Sequence, residues 1–292
     1  MCRKYADGMD DYGVFLCTIV SMKYETLPHI TLPKIGFGTW KIGGGSTPNH
    51  AVDEKSLAAL RYALEIGYTH IDTAEMYASG HSEELVGQAV RESGKKREDV
   101  FITSKVIPSH LHYEDVLKAC ENSLRHLNMD YIDLYLIHWP QAGAKYEDTF
   151  RALNKLVREG KVKHLGVSNF NVKLLKQAQS LSETPIITNQ VPFSLADRSY
   201  VKNGILEYCQ QNDILLTAYE PLNQGNFRST KTLEAIAKAH HTTVHQVALA
   251  WVVSHPRVIT IPMSFNPVHI RENFEAAELE LSADELEQLS ST

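Results

Sequence analysis

Four residues in this sequence have the types and settings needed to move a proton at a carbonyl oxygen. Asp72 ends residues 69–72, a short β-prone run that should stay apolar if buried. Tyr77 follows and leads into Ala-Ser-Gly, a loop signal. Lys105 ends the apolar run that starts at Val100, and His138 ends the run that starts at Ile132. A phenol has an ordinary pKa near 10 and is a poor acid at neutral pH. A neighbouring ammonium is expected to lower that value, and a carboxylate beside the lysine to hold it charged and in place. The tyrosine then serves as proton donor to a carbonyl oxygen, and a histidine can orient the same oxygen. Hydride addition to C=O is the reaction that wants this set. Against it stands a plainer reading of Asp72 and Tyr77 as a solvated carboxylate and a rim ring.

The chemistry requires three strand ends at one edge, and the alternation along the chain supplies such an edge. Strands are predicted at 35–40, 69–72, 100–106, 132–139, 163–168, 185–191, 215–219 and 258–262. Residues 53–66 carry Leu57, Leu60, Ala63 and Leu64 at helical spacing. Further helices are expected at 83–91, 113–127, 146–159 (closed by Gly160), 205–211, 233–239, 244–253 and 268–277, with Asn171 capping another. Ser282-Ala-Asp-Glu285 is a capping box that opens a last short helix. Strands that each lead into a helix argue for α/β architecture, a single (β/α)8 TIM barrel with extra helices, whose chemistry sits at the C-terminal strand ends. Residues 27–32 read as part of an N-terminal hairpin that caps the bottom.

Residues 22–292 are expected to form this one domain. Residues 1–21 are an unassigned N-terminal extension, read as the product of an upstream start codon in preference to a tail specific to this protein, and as dispensable. Arg3 and Lys4 are followed by Asp7, Asp10 and Asp11, and no small-residue cleavage site follows the apolar run 14–20, so a signal peptide is not expected.

The 292 residues carry a net charge of −6 with no basic block, which gives no electrostatic footprint for nucleic acid or an anionic membrane. Cys2, Cys17, Cys120 and Cys209 are scattered without a C-x-x-C pair. A disulfide framework or zinc site is not expected, and a cytoplasmic setting fits. No apolar run approaches a membrane span. Gly43-Gly-Gly-Ser-Thr-Pro48 lacks the Gly-Lys-Ser/Thr of a phosphate loop and is read as a mobile rim. His110 with His112, and His240 with His241, have metal-pair spacing but no third ligand, and are read as structural or solvated.

Gly36-Phe-Gly-Thr-Trp40, Asp72-Thr-Ala-Glu-Met-Tyr77, Leu136-Ile-His-Trp-Pro140, Gly166-Val-Ser-Asn-Phe170 and Asn189-Gln190 follow one another in an order that resembles the aldo-keto reductase family. The resemblance runs from about Leu32 to Asn273. It implies NAD(P)H-dependent reduction of aldehydes or ketones, sugars among them, and the reverse oxidation, with NADP or NAD as cofactor and no metal. It implies Asp72, Tyr77, Lys105 and His138 as the catalytic tetrad. Ser168, Asn169 and Gln190 would hold the nicotinamide carboxamide and Tyr219 would stack on the ring. Gly38, Thr39, Trp40 and Asp72 would complete that end of the cofactor site. Trp40, Tyr77, His138 and Trp139 would line the substrate pocket.

Three departures from the family pattern stand out. Glu220-Pro221-Leu222 puts a carboxylate where the family usually has Ser, near the pyrophosphate. Met263 replaces a Lys and His269 an Arg, both of which grip the adenosine 2′-phosphate; Ser264, Glu272 and Asn273 remain. Measurable use of NADH is therefore expected. The chain also stops soon after Leu289, so an open pocket for small polar aldehydes or sugars is expected. Expected partners are a small-molecule carbonyl or sugar, and the expected assembly a monomer or weak homodimer. An alternative role is a nucleotide-binding sensor or regulatory subunit with little turnover.

Overall fold

The computed structural model describes residues 22–225 and 229–291. The extension at residues 1–21, with Cys2 and Cys17 and the expectations attached to it, lies outside the described residues.

Strands β1 (Tyr24–Leu27) and β2 (Ile30–Pro33) pair antiparallel as a hairpin. Eight parallel strands follow: β3 (Phe37–Gly38), β4 (His70–Asp72), β5 (Phe101–Val106), β6 (Ile132–Ile137), β7 (Val162–Ser168), β8 (Ile186–Pro192), β9 (Leu215–Tyr219) and β10 (Val258–Thr260). Each lies beside its neighbour in chain order. A parallel bridge between Ile35 and Thr260 joins the two ends of the sheet. Gly36 N donates to Thr260 O at 2.8 Å and Thr260 N to Lys34 O at 2.8 Å, so the sheet closes on itself as the predicted barrel.

Alternation along the strands splits the core in two. Leu134 and Leu136 of β6 face inward with Ile187, Leu215 and Ile259, and Leu27 and Leu32 of the hairpin join this inner cluster. The hairpin is thus the bottom plug that the sequence predicts. Tyr135 and Ile137, on the other face of β6, pack outward with the helices. Each buried Leu or Ile contributes about 1.5–3 kcal/mol.

The register sets the site. Gly38 pairs with Asp72 and Asp72 with Thr103, while Lys105 sits two positions further along β5, beside Leu136. Asp72 and Lys105 therefore lie together toward the C-terminal edge of the sheet.

Some bounds differ from expectation. The first barrel strand is Phe37–Gly38, with an isolated bridge at Ile35, rather than 35–40; it ends early because the chain turns at once, Ile42 N donating to Thr39 O at 2.9 Å. The helix expected at 83–91 is His81–Glu92, and it starts behind Gly80 at φ 93° rather than behind a capping side chain. Ser199–Lys202 is a short helix that the sequence reading omits. Asn171 does cap Val172–Leu181, and the Ser282–Glu285 capping box is formed.

The expected mobile rim is a stapled turn. Gly44 bridges Pro48, Asn49 N donates to Gly43 O at 2.7 Å, and Ala78 N donates to Gly45 O at 2.7 Å. Gly44 has φ 137°, and a Cβ there would lie 2.3 Å from Thr47 O. Among the described residues no helix is long and apolar enough to cross a membrane.

Candidate active site

Asp72, Lys105 and His138 end or follow β4, β5 and β6, and are 1 %, 0 % and 3 % exposed. Lys105 Nζ donates to Asp72 Oδ1 at 2.5 Å, to Thr73 O at 2.7 Å and to the Tyr77 hydroxyl at 3.2 Å. An ammonium has three protons, so its donors are fully committed. Asp72 Oδ2 accepts from Gln190 Nε2 at 2.8 Å, which fixes the carboxylate from its other side.

Tyr77 is brought over this floor by its own segment. Thr73 N donates to Thr103 O at 2.8 Å, and the Glu75 carboxylate accepts from Ile107 N at 2.7 Å, tying residues 73–75 to β5. Beyond Tyr77, Ala78, Ser79 and Gly80 take φ values of 48°, 53° and 93°, which turns the chain away into the next helix. The Tyr77 ring lies 5.2 Å from Trp40 and 5.8 Å from His138, edge-on to both, and His138 stacks on Trp139 at 3.8 Å.

The electrostatics correct one expectation. Burial pushes the Tyr77 phenol up; Lys105 pulls it down and Asp72 pushes it up again, so the net direction is upward. The expected lowering fails first because burial disfavours the phenolate, and then because Lys105 already has an anionic partner at 2.5 Å. The phenol faces an ion pair rather than a lone cation. Burial disfavours the Lys105 ammonium, but Asp72 and Tyr77 together outweigh it and its pKa is raised. Burial, reinforced by Lys105, lowers His138 to about 2 and keeps the imidazole neutral. The arrangement is a protonated phenol whose oxygen accepts from a lysine, beside a neutral imidazole.

These groups open onto a cavity of about 620 Å³, within the usual range for ligand pockets. Its wall includes Gly38, Thr39, Trp40, Asp72, Tyr77, His138, Trp139, Ser168, Gln190, Tyr219, Glu220, Pro221, Leu222, Met263, Ser264, His269, Glu272 and Asn273. Of the residues predicted for the site, Lys105 and Asn169 are not on that wall. Lys105 lies beneath Tyr77. Asn169, at φ 63°, joins strand ends: Nδ2 donates to His138 O at 3.2 Å and to Ser168 Oγ at 3.0 Å, and Oδ1 accepts from Tyr219 OH at 3.0 Å.

Glu220 is exposed at φ 51°, and its carboxylate accepts from Gln224 Nε2 at 2.6 Å, so the charge at that rim is already hydrogen-bonded. Arg271 is off the wall, with Nε donating to Tyr62 OH at 3.1 Å.

The wall also holds Lys41, Met76, Gln224, Gly225, His245, Ile261 and Pro262, which the sequence reading missed. Gln224, Gly225 and His245 arrive from the turn after β9 and the start of the helix Val244–Ser254, beyond the strand-end pattern that the reading followed. Of the histidine pairs considered for metal, His110 faces Glu75 at 3.2 Å and His240 faces Glu285 at 2.8 Å, each in a pair with one carboxylate.

The residues fit a nicotinamide dinucleotide on the structure's own terms. The His138 Nδ1 is buried without a hydrogen-bond partner among the described residues. Gly38, also on the wall, lets the backbone after β10 pack close beside it, where a Cβ would lie 2.5 Å from Ile261 O. At the far end Ser264 Oγ accepts from Asn266 N, and His269, Glu272 and Asn273 share one face of the helix Pro267–Glu275.

Comparison with known proteins agrees with this geometry. The family model described as Aldo/keto reductase family matches residues 34–292. Methylglyoxal reductase YeaE of Escherichia coli (strain K12) is 40 % identical over 266 residues, covering 89 % of this chain and 90 % of its own. Glyoxal reductase of Bacillus subtilis (strain 168) is 38 % identical, covering 89 % and 88 %. Among solved structures, a thermostable aldo-keto reductase in complex with the inhibitor epalrestat superposes with a TM-score of 0.89 at 45 % identity, covering 92 % of this chain and 99 % of that one. An aldo-keto reductase from Klebsiella pneumoniae in complex with NADPH gives a TM-score of 0.83 at 39 % identity, covering 93 % and 95 %. The chain therefore belongs to the aldo/keto reductase family, and is an NAD(P)H-dependent oxidoreductase acting on carbonyl and alcohol groups.

Proposed function

We propose that this chain reduces small aldehydes and 1,2-dicarbonyls of the methylglyoxal and glyoxal kind to alcohols, with Tyr77 as proton donor. The observation that carries the reading is the closed donor set of Lys105. All of its protons are spent on Asp72, Thr73 and Tyr77, so the proton offered to the cavity is the phenol's own. A nicotinamide cofactor, when bound, supplies the hydride. Asp72 holds Lys105 charged, and Lys105 orients the Tyr77 oxygen as acceptor, which aims its hydrogen outward. Neutral His138 positions the carbonyl oxygen beside Tyr77 without competing as an acid. After transfer, the phenolate oxygen sits against the Lys105 ammonium, which steadies it until a proton returns.

Ser168, Gln190 and Tyr219 would hold the nicotinamide end, and Ser264, His269, Glu272 and Asn273 the adenosine end, with Met263 beside them. Asn169 acts one layer back, by bracing Tyr219. Trp40 and Trp139 wall the substrate side, where apolar rings suit a small carbonyl. The small-dicarbonyl class rests on the two reductases named above, together with that short aromatic mouth. The same reading takes residues 22–292 as one catalytic domain, supported by the unbroken sheet from β3 to β10, working in the cytoplasm as a monomer or weak homodimer.

Loss of nicotinamide absorbance should be followed with methylglyoxal, glyoxal and a hexose under both NADPH and NADH. The expected result is highest kcat/KM on the dicarbonyls. Folded protein that binds NADPH but turns over none of these carbonyls would overturn the reading and favour a regulatory subunit.

A further inference from the structure

Outside the cavity, one cluster brings two imidazoles and a carboxylate together. His50 opens the turn that leads into the helix Asp53–Ile66, Asp53 is that helix's first residue, and His81 is the first residue of the helix His81–Glu92. One ligating atom from each lies within 4.8 Å of the other two. The Asp53 carboxylate is shared: Oδ1 is 2.8 Å from His81 Nε2 and Oδ2 is 3.1 Å from His50 Nδ1. The two imidazole rings meet edge-on at 4.4 Å.

A second observation comes from the far side of His81. Its Nδ1 lies 2.8 Å from Glu84 Oε2, one turn along the same helix. A ring whose other nitrogen is held by a carboxylate is the arrangement by which proteins orient a metal-ligating histidine and raise its basicity.

We propose that His50, Asp53 and His81 form a binding site for a transition-metal dication of the zinc class, with Glu84 orienting His81 and water in the open fourth position. The donor set selects the class. Two imidazoles and one carboxylate suit zinc and its neighbours, whereas magnesium and calcium prefer oxygen throughout. Asp53 and Glu84 bring two carboxylates to the cluster, which a dication balances. Metal–ligand bonds of about 2.0–2.2 Å require the three atoms to spread slightly around the ion. His50, with a side chain 75 % exposed, is free to adjust.

The site joins two segments that frame the cavity. His81 follows Tyr77 through the left-handed run of residues 78–80, and residues 45 and 46 accept hydrogen bonds from Ala78 N and Ser79 Oγ. Gly43 leaves room for the His81 ring, since a Cβ there would lie 2.8 Å from its Cδ2. A bound ion would clasp the segment after β3, which carries Trp40, to the segment after β4, which carries Tyr77.

The full chain, stripped with chelator, should be titrated with Zn²⁺ by calorimetry, with Mg²⁺ as the oxygen-preferring contrast. His50→Ala and His81→Gln should be measured alongside, with melting temperature recorded for each with and without Zn²⁺. The expected result is Zn²⁺ binding in the wild type that falls at least about tenfold in each variant, no matching Mg²⁺ binding, and a Zn²⁺-dependent rise in melting temperature that His50→Ala abolishes. Because His50 is exposed, folded His50→Ala decides the matter even if His81→Gln unfolds. No Zn²⁺ binding by the wild type, or unchanged affinity in folded His50→Ala, would overturn the proposal.

Discussion

The floor of the cavity and its far end, at the helix Pro267–Glu275, hold their polar groups in opposite ways. At the floor, Asp72 and Lys105 are buried, and the Lys105 ammonium and the Gln190 amide have fixed acceptors. At the far end His269 is exposed, Met263 and Glu272 are half-buried, and Arg271 is turned onto Tyr62. Charges in a dry, preorganised site act strongly on a developing charge, whereas exposed ones are screened. Loss of one group at the floor should therefore disable the reaction, while changes at the far end should tune affinity in steps.

The largest effect is expected for Tyr77→Phe. The ring and its edge contacts remain while the proton donor is lost, so kcat should fall by about 10²–10⁴-fold. Cofactor dissociation constants should stay near wild type. A variant that retains wild-type turnover would break the assigned role and, with it, the contrast between the two ends.

A smaller, graded effect is expected at the far end. Met263 carries no charge and a neutral imidazole at 269 offers one donor rather than a fork. Hydrogen bonds to charged groups contribute about 1.5–3 kcal/mol each. Met263→Lys and His269→Arg should therefore each strengthen NADPH binding by roughly tenfold or more, leave NADH binding nearly unchanged, and leave kcat intact. The wild type should use NADH measurably. A wild-type preference for NADPH of roughly a thousandfold, about 4 kcal/mol, would show that another basic residue serves the phosphate.

The smallest effect expected is an absence of pH dependence. His138 is lowered to about 2, so it is neutral at every working pH above that value. Tyr77 acts in its protonated form and its pKa is raised, which extends that form upward past the ordinary phenol value near 10. The kcat/KM profile for reduction should be flat between about pH 5 and 8, with loss only in strong alkali. A wild-type inflection in that window that His138→Gln removes would break the neutral-imidazole reading.

The floor was legible because a charge ending an apolar strand is conspicuous: Asp72, Lys105 and His138 each interrupt a run that burial alone would keep apolar. Tyr77 was legible by its loop and its distance from Asp72. The barrel followed from the alternation, down to the hairpin that plugs it. The sign of the Tyr77 shift was not legible, since it depends on burial and on how completely Asp72 occupies Lys105. The role of Asn169 as a brace was hidden because it depends on which strand ends meet. Lys41 and Met76 reach the wall through turns whose paths no local pattern encodes, and His245 from the start of the helix Val244–Ser254. His50 and Asp53 are three residues apart, but His81 comes from the next helix, so no short spacing marks the set. The start of the helix at His81 was missed because Gly80 begins it by backbone conformation alone.

The closure of the barrel between Ile35 and Thr260 also has a meaning for synthesis. These partners are separated by most of the chain, so the first strand leaves the ribosome long before the last exists. At about 5–20 residues per second, that interval is roughly 10–45 s. Throughout it the growing sheet has an unpaired side at β3, the kind of border on which other chains can nucleate. That border is short: Lys34 O accepts from Thr260 N, Gly36 N donates to Thr260 O and Gly38 N to Pro262 O. A border this short, interrupted by Gly36 and Gly38, is a poor template, so the nascent protein carries its protection against mispairing at the place that waits longest for its partner.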